Sequence, residues 1–135
     1  MKNYVLLLSI FLVSMTFSDA RNKEAASEWD RYGVLCITNN LDFTMSYSYR
    51  WGNGDWCSIS IYSGGTQRHW YEYPDHHTSS PDFTIHFDHD PTSGVHNTPN
   101  SLIRYRSPDT SCDSAKKYVF EIDVDDNEIK LYSKN

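Results

Sequence analysis

The densest cluster of groups able to do chemistry is His86-Phe87-Asp88-His89-Asp90. On an extended chain alternate residues share a face, so His86 and Asp88 stand together, with Asp90 just beyond. Imidazole plus carboxylate is a zinc donor set, and His76, His77 and His96 sit in flanking stretches from which loops reach inward. The spacing matches no closed zinc motif, and the same acids serve equally well as turn and capping groups. The run from Asp88 to Gly94 begins like an acidic calcium loop. It lacks the glycine at the sixth position and the late bidentate glutamate that such a loop needs. The stretch Asp123 to Glu128 fails the same test and reads as a hairpin turn. His86, Asp88 and Asp90 therefore stand as weak metal candidates, and no cofactor is expected.

Catalytic signatures are absent. There is no G-x-S-x-G, no H-E-x-x-H and no glycine-rich phosphate loop. Nominating a Cys–His pair from a chain with 6 histidines and 3 cysteines carries no spacing information. Paired carboxylates cannot be assigned without a cleft. The expectation is a protein that is not an enzyme. With a net charge of −6 and no lysine or arginine cluster, the chain is poorly suited to neutralising nucleic-acid phosphates or anionic membranes. Arg104 and Arg106 form the one dense basic spot, which alternate positions on a strand explain.

The aromatic residues offer a different chemistry. In Met45 to Tyr62, large and small residues alternate around Gly52-Asn53-Gly54. A two-residue turn would leave both faces of the hairpin half apolar. A three-residue loop with Gly54 in the left-handed conformation opposes Tyr49 with Cys57, Tyr47 with Ile59 and Met45 with Ile61. It places Phe43, Met45, Tyr47, Tyr49, Cys57, Ile59 and Ile61 on a core face. Thr44, Ser46, Ser48, Arg50, Trp56, Ser58, Ser60 and Tyr62 take the outer face, with Arg50 at cation–π distance from Trp56. A one-residue slip would invert this sorting, so pattern and turn chemistry agree.

Extending the sheet by a second hairpin at Gly64-Gly65 sets His69, Tyr71 and Tyr73 beside Ser60, Ser58 and Trp56, and sends Trp70 to the core side. The same register puts Arg68 and Glu72 on the core face, which counts against it. The expected binding set is thus Arg50, Trp56, Tyr62, His69, Tyr71 and Tyr73. Amphipathic rings with hydroxyl neighbours suit a neutral sugar or a partner's apolar anchor. The function expected is a secreted, non-enzymatic binding module that uses this aromatic-bearing face, with carbohydrate as its candidate ligand. The alternative is a protein-interaction domain such as an inhibitor, effector or immune-evasion factor.

These residues must be positioned by strands. Short β-rich runs cover Gly33–Thr38, Asp42–Trp51, Trp56–Tyr62, Gln67–Tyr73, Asp82–Phe87, Ser101–Tyr105, Lys117–Val124 and Glu128–Tyr132, separated by Gly, Pro, Asn, Asp and Ser. No stretch shows the helical period. About eight short strands at such spacing predict an all-β fold, a small antiparallel β-sandwich of Ig-like or jelly-roll-like type. Phe83, Ile85 and Phe87 share one face, as do Tyr118, Phe120, Ile122 and Val124, with Ile129 and Leu131 completing the core. The widest irregular stretch, Asp88 to Asn100, is the natural place for a functional loop.

Residues 1–20 join one lysine, an apolar run from Val5 to Val13, and small residues at Ser18 and Ala20. That is the pattern of a cleaved secretory signal peptide, and the run is too short to span a bilayer. Residues 21–32 form a polar lead with room for one loose helical turn, and 33–135 read as a single extracellular domain. An oxidising compartment favours one disulfide among Cys36, Cys57 and Cys112. Cys57 with Cys112 is the favoured pair, because Cys112 lies in a polar loop free to meet a partner. The odd thiol is then either a buried hydrophobe, the favoured reading, or a link in a disulfide-bonded dimer. The partners expected are a glycan or an extracellular protein.

Overall fold

A computed structural model describes residues 29–90 and 99–135. Residues 1–20, expected to be a signal peptide, residues 21–28 of the polar lead, and most of the wide loop with His96 lie outside the described residues. The fold is all-β, with nine strands and no helix among the described residues: β1 (Tyr32–Asn39), β2 (Met45–Trp51), β3 (Cys57–Ile61), β4 (Thr66–Glu72), β5 (Phe83–Phe87), β6 (Asn100–Leu102), β7 (Tyr105–Ser107), β8 (Lys116–Asp123) and β9 (Glu128–Ser133). One sheet has the order β4-β1-β8-β9, with β7 also pairing β1. The other runs β3-β2-β5-β6.

The second sheet is antiparallel throughout, as expected. The first is mixed, because β1 pairs β8 in parallel, from Leu35 against Lys116 to Asn39 against Phe120. This corrects the wholly antiparallel expectation, and the reason is visible in β1 itself. Its run Val34-Leu35-Cys36-Ile37 is apolar without alternation, the composition of a strand buried on both faces. Leu35 and Ile37 enter the main core. Val34 and Cys36 enter a second, smaller cluster with Ala115, covered by Tyr32 and Cys112.

The two sheets share the main core. Leu35, Ile37, Tyr118, Phe120 and Ile129 from one meet Met45, Tyr47, Ile61, Phe83, Ile85 and Phe87 from the other. Rings bridge the layers, with Tyr47 and Phe87 centred 5.8 and 5.1 Å from Phe120. Each such side chain contributes about 1.5–3 kcal/mol by leaving water. The alternation read in β5 holds in full, with Phe83, Ile85 and Phe87 buried. In β8 it holds for Tyr118 and Phe120, but Ile122 near the end of the strand and Val124 in the turn that follows are exposed.

The β2–β3 hairpin has the expected register, with Tyr49 opposite Cys57, Tyr47 opposite Ile59 and Met45 opposite Ile61. The serines pair across it, Ser46 with Ser60 at 2.7 Å and Ser48 with Ser58 at 3.0 Å. Its glycine is different from the one expected. Gly52 takes the positive φ, at 54°, and Gly54 does not. The Gly54 N–H donates to the Trp51 carbonyl at 3.0 Å, so the tight turn spans Trp51 to Gly54 with its left-handed residue first, as in the primed hairpin turns. Phe43 and Cys57, expected in the core, are exposed at the hairpin's two ends.

The chain then departs from a simple meander. Gly64-Gly65 does not close a second hairpin on β3. It carries the chain to the other sheet, where β4 pairs β1 from Tyr32 against Glu72 to Thr38 against Thr66. The corner is organised by Asn39, which is fully buried. Its side-chain amide donates to the carbonyls of Phe43 and Ile61, and its side-chain oxygen accepts from the Leu41 N–H. Its backbone exchanges bonds with Gly64 and Gly65, with Gly64 at a φ of 77°. One buried amide thus ties the end of β1 to the approaches of β2, β3 and β4. The expected strand Ser101–Tyr105 likewise divides into β6 in one sheet and β7 in the other. Between them, the Tyr118 hydroxyl bonds both the N–H and the carbonyl of Ile103.

Candidate functional site

Because β4 pairs β1, the six residues expected to share one face separate into two groups. His69, Tyr71 and Tyr73 face the interior between the sheets, and this corrects their assignment as surface ligand contacts. His69 and Tyr73 are buried and Tyr71 is half-buried. The His69 Nε2 lies 2.6 Å from the Tyr47 hydroxyl. Its ring also packs 4.3 Å from Tyr49 and 4.9 Å from Phe83. Burial lowers the His69 pKa from 6.5 to about 4 and pushes the Tyr47 hydroxyl well above its ordinary range. Tyr73 lies beneath the Arg106 guanidinium, 4.0 Å from the ring centroid. Trp70, expected inside, is exposed on the opposite face of β4 along with Arg68 and Glu72.

Arg50, Trp56 and Tyr62 remain on the outer face of the β3-β2-β5-β6 sheet, where Trp56 is 40% and Tyr62 80% exposed. The Arg50 guanidinium sits 4.7 Å from the Trp56 ring centroid. His86 joins them. Its imidazole stacks on Trp56, centroids 4.1 Å apart and planes 28° from parallel. Strand register explains the meeting: Ser48 lies opposite His86, and Arg50 opposite Thr84, which in turn lies opposite Ser101. The indole of Trp56, just before β3, reaches across β2 to a ring on β5. The resulting surface has an aromatic pair, a cation, and hydroxyls from Ser46, Ser48, Ser58, Ser60, Thr84 and Ser101. The alternation along β5 already put His86 outward. Its partnership with Trp56 was hidden because nothing local announces that β5 pairs β2.

No protein-family model matches this chain, and no curated protein matches it. It is similar to the NMR structure of a protein from Eubacterium rectale, with 9% sequence identity and a TM-score of 0.48 over 78% of this chain and 90% of that one.

The weak metal candidates do not converge. His86 is engaged with Trp56, while the Asp88 side chain accepts the Asp90 N–H at 3.0 Å in a local turn. Among the described residues no group of three or more His, Cys, Asp or Glu stands close enough to hold an ion. The disulfide joins Cys36 to Cys112, not Cys57 to Cys112. Cys36 points outward from β1, where the loop after β7 folds over it, whereas Cys57 lies in the other sheet. The odd thiol is therefore Cys57, and it is exposed rather than buried. A cleft of about 370 Å³ beside Leu102 and Ile129 touches the Trp56 surface only at Ser101, and one of about 450 Å³ lies beside the disulfide and Val119.

Proposed function

We propose that this chain is a secreted, non-enzymatic β-sandwich module that binds carbohydrate on the outer face of its β3-β2-β5-β6 sheet. The observation that carries the reading is Trp56, held against His86 and Arg50 in the middle of a surface of hydroxyl groups. A ring fixed by neighbours loses little further freedom on binding, and sugar rings present C–H faces to aromatics while their hydroxyls exchange hydrogen bonds. The Cys36–Cys112 disulfide fits an oxidising, extracellular setting, and the pattern of residues 1–20 is that of an export signal.

The test is tryptophan fluorescence across a glycan array. Retention on the array that shifts the emission of the native chain, and retention that is abolished in Trp56→Ala with unchanged far-ultraviolet circular dichroism and thermal midpoint, support the reading. Silence across the array refutes it.

A second reading, a protein-interaction domain, is favoured by one feature. β3 is a sheet edge and carries the exposed Cys57 thiol, so it offers both unpaired backbone groups and a reactive sulfur to another chain. A dimer band on a non-reducing gel, lost in Cys57→Ser, supports that reading.

A further inference from the structure

We propose that the saccharide taken by the Trp56 surface is acidic, and that Arg50 binds its carboxylate. This inference rests on the carbohydrate reading and specifies its ligand.

The argument begins with how the other arginines near strand ends are satisfied. Arg104 donates to the Ser80 side chain and carbonyl and faces Asp82 at 3.8 Å. Arg106 donates to the carbonyls of His76 and Thr78. Arg50 has no such partner. Among the described residues it makes neither a hydrogen bond nor an ion pair, and its Nε is fully buried without an acceptor. Its guanidinium lies over the face of Trp56. A half-buried guanidinium with an unfilled donor is costly. The Nε is closed to any incoming group, so an outside acceptor meets the two Nη groups, and a planar carboxylate matches that pair of N–H donors in two parallel bonds.

The surroundings supply the rest of an acidic-sugar site. The neighbours of Arg50 across the strands are the hydroxyl of Thr84 and, beyond it, that of Ser101. Trp56 covers the other side. A sugar ring lying against the part of Trp56 left exposed by His86 and Arg50 would bring a ring carboxylate to the Arg50 Nη groups and its hydroxyls toward Ser48 and Ser58. Asp88, the carboxylate nearest this surface along β5, stands past His86, away from Arg50 and turned into its own local turn. The protein's net charge is −6. An anion therefore needs a local cation to be held here, which makes the contribution of Arg50 decisive and sensitive to salt.

The experiment uses the full chain and a panel of uronate oligosaccharides, each compared with its methyl ester, which keeps the ring and removes the charge. Binding is read from Trp56 emission, assigned with Trp56→Phe. The acid forms are expected to bind at least tenfold tighter than the esters, and 0.5 M salt is expected to erase most of that difference. Arg50→Gln should reduce the acids to ester affinity, while Arg68→Gln, exposed on the other sheet, should leave them unchanged. Arg50→Lys keeps the charge without the fork and should fall between. It carries the comparison if Arg50→Gln does not fold. Equal binding of acid and ester overturns the proposal but leaves the carbohydrate reading standing, as do array hits confined to neutral glycans. Equal displacement by sodium acetate alone overturns it as a saccharide site. No binding by any member overturns it outright.

Discussion

His69 makes a sharp pH prediction. It is 4% exposed, and the titratable groups that face it are the hydroxyls of Tyr47 and Tyr49 on β2. No carboxylate pairs with it among the described residues. The neutral imidazole shares a hydrogen bond with the Tyr47 hydroxyl at Nε2, whereas the protonated ring would carry its charge desolvated among Tyr47, Tyr49 and Phe83. Burial accordingly lowers its pKa from 6.5 to about 4. In this window the unfolded chain binds a proton that the folded chain refuses, so stability is complete above pH 6.5 and falls as the pH drops toward 4. At 1.36 kcal/mol per pH unit the loss totals about 3 kcal/mol and then levels off.

Urea unfolding at intervals from pH 7.5 to 4 measures it directly. His69→Gln keeps an acceptor for Tyr47 but cannot titrate. It should be less stable than wild type at pH 7.5 and lose about 3 kcal/mol less on acidification. The carboxylates Asp75, Asp109 and Asp123, all held below their ordinary range by hydrogen bonds, lose their contribution only as the pH falls below about 4. They therefore do not blur the His69 window. Parallel loss of stability in wild type and variant between pH 6.5 and 4 would refute the reasoning.

Three further outcomes follow from the fold. Replacing Cys36 and Cys112 together by alanine opens a loop of 76 residues and should lower stability by about 4 kcal/mol on the chain-entropy estimate, read as a fall in thermal midpoint, while Cys57→Ser should change it little. Asn39→Ala removes three side-chain hydrogen bonds at once, two of them buried and one part-buried. It should cost about 2–4 kcal/mol in urea unfolding, because the Phe43 and Ile61 carbonyls lose their donor and the Leu41 N–H its acceptor. Gly52→Ala should cost about 1–2 kcal/mol from its positive φ alone and more from the contact of the new Cβ with Pro81 at 2.9 Å. The same measurement on Gly54→Ala should show a smaller loss, since Gly54 carries no positive φ.

What could be read from the residues was whatever depends on two neighbouring strands and the turn between them. The β2–β3 register followed from matching large residues to large ones, because any slip would have exposed Met45, Tyr47 and Ile61 together. The inward face of β5 followed from Phe83, Ile85 and Phe87 for the same reason. The turn residue was less legible. Gly52 and Gly54 both tolerate positive φ, and both loop geometries preserve the same pairing, so the hydrophobic pattern could not choose between them. The disulfide failed on a different ground. Cys57 looked free to meet a loop, yet the deciding fact was that Cys36 points away from the main core and needs a cover, which requires knowing that both faces of β1 are buried.

The misplacement of β4 shows most clearly where local reasoning stops. Two signals against the second hairpin were already present. Arg68 and Glu72 fell on its core face, an arrangement no well-packed sheet accepts without partners for both charges. The unbroken apolar run of β1 asked for neighbours on both edges and cover on both faces. A single move satisfies both: β4 placed on the edge of β1 turns Arg68, Trp70 and Glu72 outward and His69, Tyr71 and Tyr73 inward. The same move leaves β3 as an edge strand and clears the surface beside Trp56. What then approaches Trp56 is the imidazole of His86 from β5, not the ring of Tyr73. The surface consequently holds fewer aromatics and relatively more cation than a hairpin meander would have given it. It is this change, produced by pairing across the sheets, that shifts the expected ligand from a neutral sugar to one bearing a carboxylate.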